Sequence, residues 1–312
     1  MSLAQWSNYW AAGNLTSLPN DFKHNYDGEI QDFWFRVFAR LPNQASILDV
    51  CTGNGAVAYL ALDYAHKNDR NWQITAVDGA EIRQDKVQEH HSGVAQTGKS
   101  IEFISNVLVE DMQLDSNNFD LITSQYGIEY CDWASSAEAI NRHLTQNGHF
   151  ACLTHAPETD ISEYMRSEKD AYRWLERQGV FESMQKLIDG RLDLKQIQKQ
   201  HKRHHAKLVL KWQQLQAPLL KGFVDYTHSM LSVTQPQLKD VLPQVRNLLS
   251  QHEQAYQRLL DIVGVADRIK RNPEWTSAFT SNGLQLEKTT NIHYQGRYLA
   301  GIAYEFSRSH TA

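Results

Sequence analysis

From about Ser46 to Thr154, short apolar runs alternate with polar, helix-favouring stretches. Ser46–Val50 reads as a buried strand followed by a glycine turn. A helix from Ala56 then places Ala58, Leu60, Ala61, Leu62 and Ala65 on its apolar side. Gln73–Asp78 predicts a second strand that ends in an acid and leads to a polar helix through Gln88. Further strands are expected at Ile101–Ile104 and Phe119–Ser124. A helix near Ser135–Leu144 is expected to break at the turn signal Asn147-Gly148, before a fifth strand at His149–Thr154. Strands joined by helices at this spacing give βαβ units and a parallel sheet. The link between the third and fourth strands is short, so its crossover helix is expected to shrink to a turn.

The texture changes between about Pro157 and Asn282. Apolar residues recur there at three- and four-residue spacing, as in Tyr172 and Leu175 or Leu208, Val209 and Trp212, with no convincing strand. Pro218, Pro236, Pro243 and Pro273 are expected to cut this stretch into four or five helices. Leu284–His293 and Tyr298–Phe306, separated by Gln295-Gly296-Arg297, carry a hairpin signature. The predicted fold is therefore α/β: a doubly wound seven-stranded sheet, mostly parallel with a C-terminal antiparallel hairpin, plus a helical insertion domain. Residues 1–45 form an N-terminal helical and aromatic segment, 46–156 with 283–312 the core, and 157–282 the insertion.

Composition narrows the function classes. Hydrophobic residues make up 41% of the 312 and charged ones 21%, enough to bury a sizeable core. A formal net charge of -5 gives no long-range pull toward nucleic acid or anionic membranes, and neither is expected as a partner. No apolar run approaches the roughly 18 residues of a membrane span. Met1–Trp10 has neither a basic start nor an apolar stretch, so no secretory signal is expected. Cys51, Cys131 and Cys152 all lie in or beside apolar segments and read as buried, reduced thiols of a cytoplasmic protein.

Candidate chemistry begins at Asp49-Val-Cys-Thr-Gly-Asn-Gly55. Gly53 and Gly55 let the backbone pass close to a ligand, and the helix that follows offers amide donors. The plain alternative is a tight turn that needs two glycines. Gly53-Asn-Gly55-Ala-Val-Ala58 also fits the G-x-G-x-x-A form of dinucleotide enzymes, with Asp78 about the right distance downstream for a ribose. Asp49 argues for a different ligand, because a carboxylate there engages an ammonium group but repels phosphates. The loop has no neighbouring Arg or Lys, and the chain ends in a hairpin rather than further βαβ units.

On these residues the sequence resembles class I, Rossmann-like S-adenosylmethionine-dependent methyltransferases of the broad methyltransferase-domain type. Ile47–Val57 is similar to their first motif. Asp78, the stretch Phe119–Tyr130 and the terminal hairpin resemble the same family, so that the likeness covers about half the chain. One departure is Cys51, where the family usually has its first glycine. The resemblance implies that Asp49, Gly53, Asn54 and Gly55 cradle the methionine half of the cofactor. It implies that Asp78 holds the ribose hydroxyls, with Gly79 and Ala80 beside the adenine. Leu108 and Val109 fall at the adenine-reading positions, with Glu110 and Asp111 the nearest polar candidates. Gln125 and Tyr126 would lie near the sulfonium.

Methyl transfer is an in-line displacement on an activated sulfonium, so orientation and desolvation supply most of the acceleration. A base is needed only where the acceptor must lose a proton. Glu129, His155 and Asp132 are candidates beside Tyr126; Glu129 and Asp132 alternatively cap the next helix or face solvent. Phe33, Val37 and Phe38 read as core, whereas Trp6, Tyr9 and Trp10 either fold over the cofactor or simply pack, with Tyr26 the next candidate. His201 and His205 share a helix face at metal-pair spacing, but with no carboxylate or cysteine nearby they read as part of a solvated basic face, and no metal is expected. The insertion is expected to roof the carboxyl edge of the sheet, as an acceptor pocket or a homodimer contact. The functional expectation is methyl transfer from S-adenosylmethionine, giving S-adenosylhomocysteine, to a small-molecule acceptor. The alternatives are an NAD(P)-dependent oxidoreductase and a non-catalytic regulator that binds the cofactor or its by-product.

Overall fold

A computed structural model describes residues 3–17, 24–90, 101–114 and 118–309. In it the alternating apolar segments become strands β1 (Gln44–Val50), β2 (Asn71–Asp78), β3 (Ile101–Ser105), β4 (Phe119–Gln125) and β5 (Leu144–Thr154). The C-terminal pair is β6 (Leu284–Tyr294) and β7 (Tyr298–Arg308). They make one seven-stranded sheet in the order β3-β2-β1-β4-β5-β7-β6. β1 to β5 pair in parallel, and β7 runs antiparallel between β5 and β6. Because β1 lies between β2 and β4, the strand order reverses there, and ligands of such sheets bind outside the carboxyl ends at that point.

Successive residues of β1 feed opposite faces, as a pleated strand requires. Ile47 joins a core with α2 (Gly28–Phe38) and α3 (Ala56–Lys67), where Ile30, Phe33, Trp34, Phe38, Leu60 and Ala61 are buried. Leu48 and Val50 join the other core, with Ile122, Ile140, Phe150 and Phe306. Each large apolar side chain so buried contributes roughly 1.5–3 kcal/mol. Helices α4 (Gln84–His90) and α5 (Trp133–His143) complete the crossovers, and between β3 and β4 the described residues hold only a short 3₁₀ turn, Val109–Asp111. The three-residue hairpin connection, 295–297, has Gln295 at φ 53° and Gly296 at φ 60°, two successive left-handed residues that reverse the chain.

Two local expectations need correction. Asn147-Gly148 lies inside β5 rather than before it, as an irregularity between the Phe119–Leu144 and Leu121–His149 pairs. A Cβ at Gly148 would stand 2.9 Å from the Phe119 carbonyl, so the glycine serves the close approach of two strands rather than a turn. Pro243 does not end a helix, since it sits within the long helix Leu238–Arg271. Losing one hydrogen bond near the start of so long a helix leaves the rest intact.

The chain divides into two units, residues 1–162 with 264–312 and residues 163–263. The first extends further back along the sequence than 283, because Val265, Ile269, Trp275 and Phe279 are buried in the core beneath β5 and β7. The second is helical, built from most of α6 (Asp160–Arg177), α7 (Val180–Ile188), α8 (Leu194–Leu215), α9 (Pro218–Leu231) and α10 (Leu238–Arg271) as far as residue 263. Its core gathers Leu175, Met184, Ile197, Leu208, Leu220 and Phe223. His201 belongs to this interior and not to a solvated face. It is fully buried, its Nε2 lies 3.1 Å from the Tyr226 hydroxyl, and burial lowers its pKa to about 4. Among the described residues no helix is long and apolar enough to cross a membrane.

Candidate functional site

At the carboxyl ends of β1, β2 and β4 a cavity of about 280 Å³ opens in the first unit. It is built from the turn after β1. Cys51, Gly53 and Gly55 are all left-handed there, with φ of 53°, 55° and 91°. Asp49, at the end of β1, is buried and accepts hydrogen bonds from the Thr52 hydroxyl and, at 2.8 Å, the Thr123 hydroxyl. Burial pushes its carboxyl up to about 7 against those hydrogen bonds, and the nearby Asp78 adds to the rise. Asp78 closes β2 and accepts from the amides of Gly53 and Ala80, each at 2.7 Å. Burial raises its pKa, and the two amides oppose the rise.

The loop after β3 supplies Leu108, Val109 and Glu110 to the wall. Glu110 Oε1 accepts the Asp132 amide at 2.7 Å, whereas its Oε2 is buried without a hydrogen-bond partner. Past β4, Gln125 is held by the indole N–H of Trp34, and Tyr126 donates its hydroxyl to the Ala300 carbonyl at 3.2 Å. Burial keeps the Tyr126 phenol well above its ordinary pKa, so it stays protonated. Tyr26 meets Tyr126 edge-on at 6.3 Å between ring centres.

Of the residues singled out by sequence, Asp49, Asp78, Gly79, Leu108, Val109, Gln125, Tyr126 and Tyr26 line this one cavity. Gly53, Asn54, Gly55, Ala80 and Tyr9 do not, each for a local reason. A Cβ on Gly53 would lie 2.5 Å from the Trp10 ring, and one on Gly55 would lie 2.7 Å from Phe103, so both glycines admit aromatic rings. Asn54 is fully buried and donates to the carbonyls of Trp10 (2.9 Å) and Asn14 (2.7 Å), clasping the N-terminal segment to the turn. Ala80 is buried and turns its amide to Asp78. Tyr9 donates to the Thr16 carbonyl at 2.8 Å inside the N-terminal segment, whereas Trp6 and Trp10 of α1 (Ala4–Ala11) reach the cavity.

Glu129 and His155 come together beside the cavity rather than in its wall. Glu129 is fully buried, and its Oε1 lies 2.8 Å from His155 Nδ1 and 2.9 Å from the His155 amide. The His155 ring rests on Tyr126 at 4.7 Å and on Tyr130 at 6.0 Å between centres, and both tyrosines line the cavity. Asp132 caps α5 by accepting the Ser135 amide. Arg268 Nη1 donates to the carbonyls of Glu129 (3.3 Å) and Cys131 (2.9 Å), with its guanidinium 3.6 Å over the Trp133 ring. Neither Arg268 nor the Cys131 lining could be read from the sequence, since both depend on contacts between distant segments.

A family model described as "Methyltransferase domain" matches residues 22–215. The chain belongs to that family. This methyltransferase is S-adenosylmethionine-dependent, of the class I kind. No curated protein matches its sequence. Among solved structures, the putative methyltransferase of a Haloferax volcanii complex with the Trm112 activator is similar over 98% of both chains at 12% identity and TM-score 0.45. Geranyl diphosphate C-methyltransferase from Streptomyces coelicolor aligns over 41% of this chain and 43% of its own, at 12% identity and TM-score 0.33. A putative zinc-dependent alcohol dehydrogenase from Rhodobacter sphaeroides aligns over 97% and 98%, at 11% identity and TM-score 0.46. At such scores these likenesses carry no argument about activity.

The cavity's own chemistry fits the methyltransferase's cofactor. Three carboxylates, Asp49, Asp78 and Glu110, face a lining that holds no Lys or Arg among the described residues, which suits an ammonium, hydroxyl and amino donors, and a sulfonium. The unpartnered Glu110 Oε2 calls for a donor. A pyrophosphate would meet carboxylates and find the Gly53 amide already given to Asp78.

Proposed function

We propose that the methyltransferase transfers the methyl group of S-adenosylmethionine to a small, neutral or cationic acceptor in the 280 Å³ cavity. The observation that carries this reading is the lining itself: carboxylates set among aromatic and aliphatic side chains, with no cationic residue among the described ones to receive a carboxylate or phosphate.

Asp49 in its ionised form holds the ammonium of the cofactor's amino acid end. Asp78 accepts from the ribose hydroxyls with lone pairs left beyond its two amide partners. Glu110 Oε2 takes the adenine amino group, between Leu108 and Val109. The bound cofactor supplies an electrophilic methyl on a sulfonium. Trp6, Trp10, Tyr126 and Tyr130 surround that end with rings, which exclude water and favour a nearby cation. Beside Tyr126, the Glu129–His155 pair is the group that takes up the proton of acceptors that must lose one.

The test is transfer of radiolabelled methyl from S-adenosylmethionine to fractionated cell extract. Label is expected in the small-molecule fraction, above all among amines and neutral compounds. Label confined to RNA or protein, or to carboxylates and phosphates, would overturn the acceptor class.

A further inference from the structure

We propose that Cys51 and Cys131 form an oxidisable dithiol in the wall of the cofactor cavity, a modification site that a hydroperoxide closes to a disulfide, shutting the cavity. The second half of this rests on the cofactor reading above. The sulfurs of Cys51 and Cys131 lie 3.6 Å apart, in contact but unbonded. Both side chains are half-buried and line the cavity, so a small oxidant reaches them; Cys152 is fully buried in the sheet.

The surrounding backbone is arranged around this contact. Cys51 holds φ 53°, a left-handed conformation that residues with a Cβ rarely adopt. A Cβ on Gly127 would fall 2.2 Å from the Cys51 Cβ, so only glycine at 127 leaves room for the cysteine. Cys51 sits in the turn after β1, and Cys131 follows the 3₁₀ turn Ile128–Tyr130 after β4, held by Arg268 on its carbonyl.

In the step proposed, Cys131 is the first nucleophile and Cys51, whose thiol the hydrogen bond to Cys131 and burial push up, is the second. Its sulfur attacks one oxygen of hydrogen peroxide, the O–O bond breaks, and a sulfenic acid and water result. The Cys51 sulfur then attacks the Cys131 sulfur, the S–O bond breaks, and a second water leaves. The two thiols give up two electrons and two protons, and the peroxide becomes two waters. Bonding draws the sulfurs from 3.6 Å to about 2.05 Å. That shift acts on the residues directly after Cys51. The Thr52 hydroxyl is bonded to Asp49 and the Gly53 amide to Asp78, so both carboxylates assigned to the cofactor lose their settings.

The experiment treats the full chain with hydrogen peroxide, with and without S-adenosylhomocysteine. Peptide mapping then follows the cross-link, and calorimetric titration follows binding. Expected are a reversible peptide linking residues 51 and 131, slower formation when S-adenosylhomocysteine is present, and a loss of about tenfold or more in its affinity that dithiothreitol restores. Cys131→Ala, compared with its own untreated state, should keep its affinity through the treatment. Absence of the 51–131 peptide, or a cross-linked protein that binds as the reduced one does, overturns the proposal. A reduced protein that never binds S-adenosylhomocysteine, yet still forms the cross-link, upholds the dithiol and overturns the cofactor assignment.

Discussion

The amide of Gly53 donates to the carboxylate of Asp78 across 2.7 Å, joining the turn after β1 to the end of β2. One acid therefore shapes the turn and faces the cavity. Asp78→Ala should both weaken S-adenosylhomocysteine binding and destabilise the fold. Each lost bond to a charged acceptor costs roughly 1.5–3 kcal/mol, so affinity should fall by at least tenfold and the melting temperature should drop with it. Titration together with thermal unfolding checks this. Unchanged affinity in a variant that still folds would remove Asp78 from the cofactor site.

Asp49 gives a pH dependence whose sign follows from burial. Its carboxyl, ordinarily near 3.8, is raised to about 7 in the fold. Between those values the folded protein holds a proton that the unfolded chain has released, so stability from this group is full below about pH 4 and lost as pH rises toward 7. The cofactor's ammonium needs the charged form, so binding should strengthen over the same climb through pH 7. A tenfold difference in proton affinity between the folded and unfolded chain is worth about 1.4 kcal/mol. Asp49→Asn should flatten both curves; wild type and variant running parallel from pH 5 to 8 would show that Asp49 is not the group responsible.

Trp10 and Gly53 should behave as a coupled pair. A methyl at residue 53 would stand 2.5 Å from the indole and on a backbone at φ 55°. Gly53→Ala should therefore displace the ring, seen as a change in tryptophan fluorescence, and destabilise by roughly 1–3 kcal/mol. Adding Trp10→Ala should cost less in that background than in wild type, because the clash is already relieved. Strict additivity of the two substitutions in thermal unfolding would argue that the ring does not rest on the turn.

Much of this arrangement was legible in the sequence because it is local. The alternation of apolar runs gave the strands, the Gln295-Gly296 turn gave the hairpin, and Asp49 and Asp78 stood out as acids at strand ends. What escaped depends on segments far apart in the chain. The contacts of Gly53, Asn54 and Gly55 with Trp10, Asn14 and Phe103 are of this kind, since those partners lie elsewhere in the sequence. His201 looked solvated because a basic run says nothing of which face packs on Tyr226. The contact of Cys131 with Cys51 and the place of Arg268 had no local signal at all. Asn147-Gly148 misled in the opposite sense, since a turn dipeptide also serves wherever two backbones must come close.

The Glu129–His155 pair makes the last prediction, on the chemical step rather than on binding. Glu129 Oε1 lies 2.8 Å from His155 Nδ1, while its other oxygen is buried without a partner. Glu129 also accepts the His155 amide at 2.9 Å, and neither residue lines the cavity. Glu129→Gln keeps the shape and a carbonyl oxygen for the His155 amide but removes the charge. With an acceptor that must lose a proton, kcat should fall about 10²–10⁴-fold, while affinity for S-adenosylhomocysteine holds. With an acceptor whose lone pair is already free, the same variant should be nearly as active as wild type. A uniform loss on both acceptors would make the pair a structural support of Tyr126. Full activity on both would remove it from the reaction.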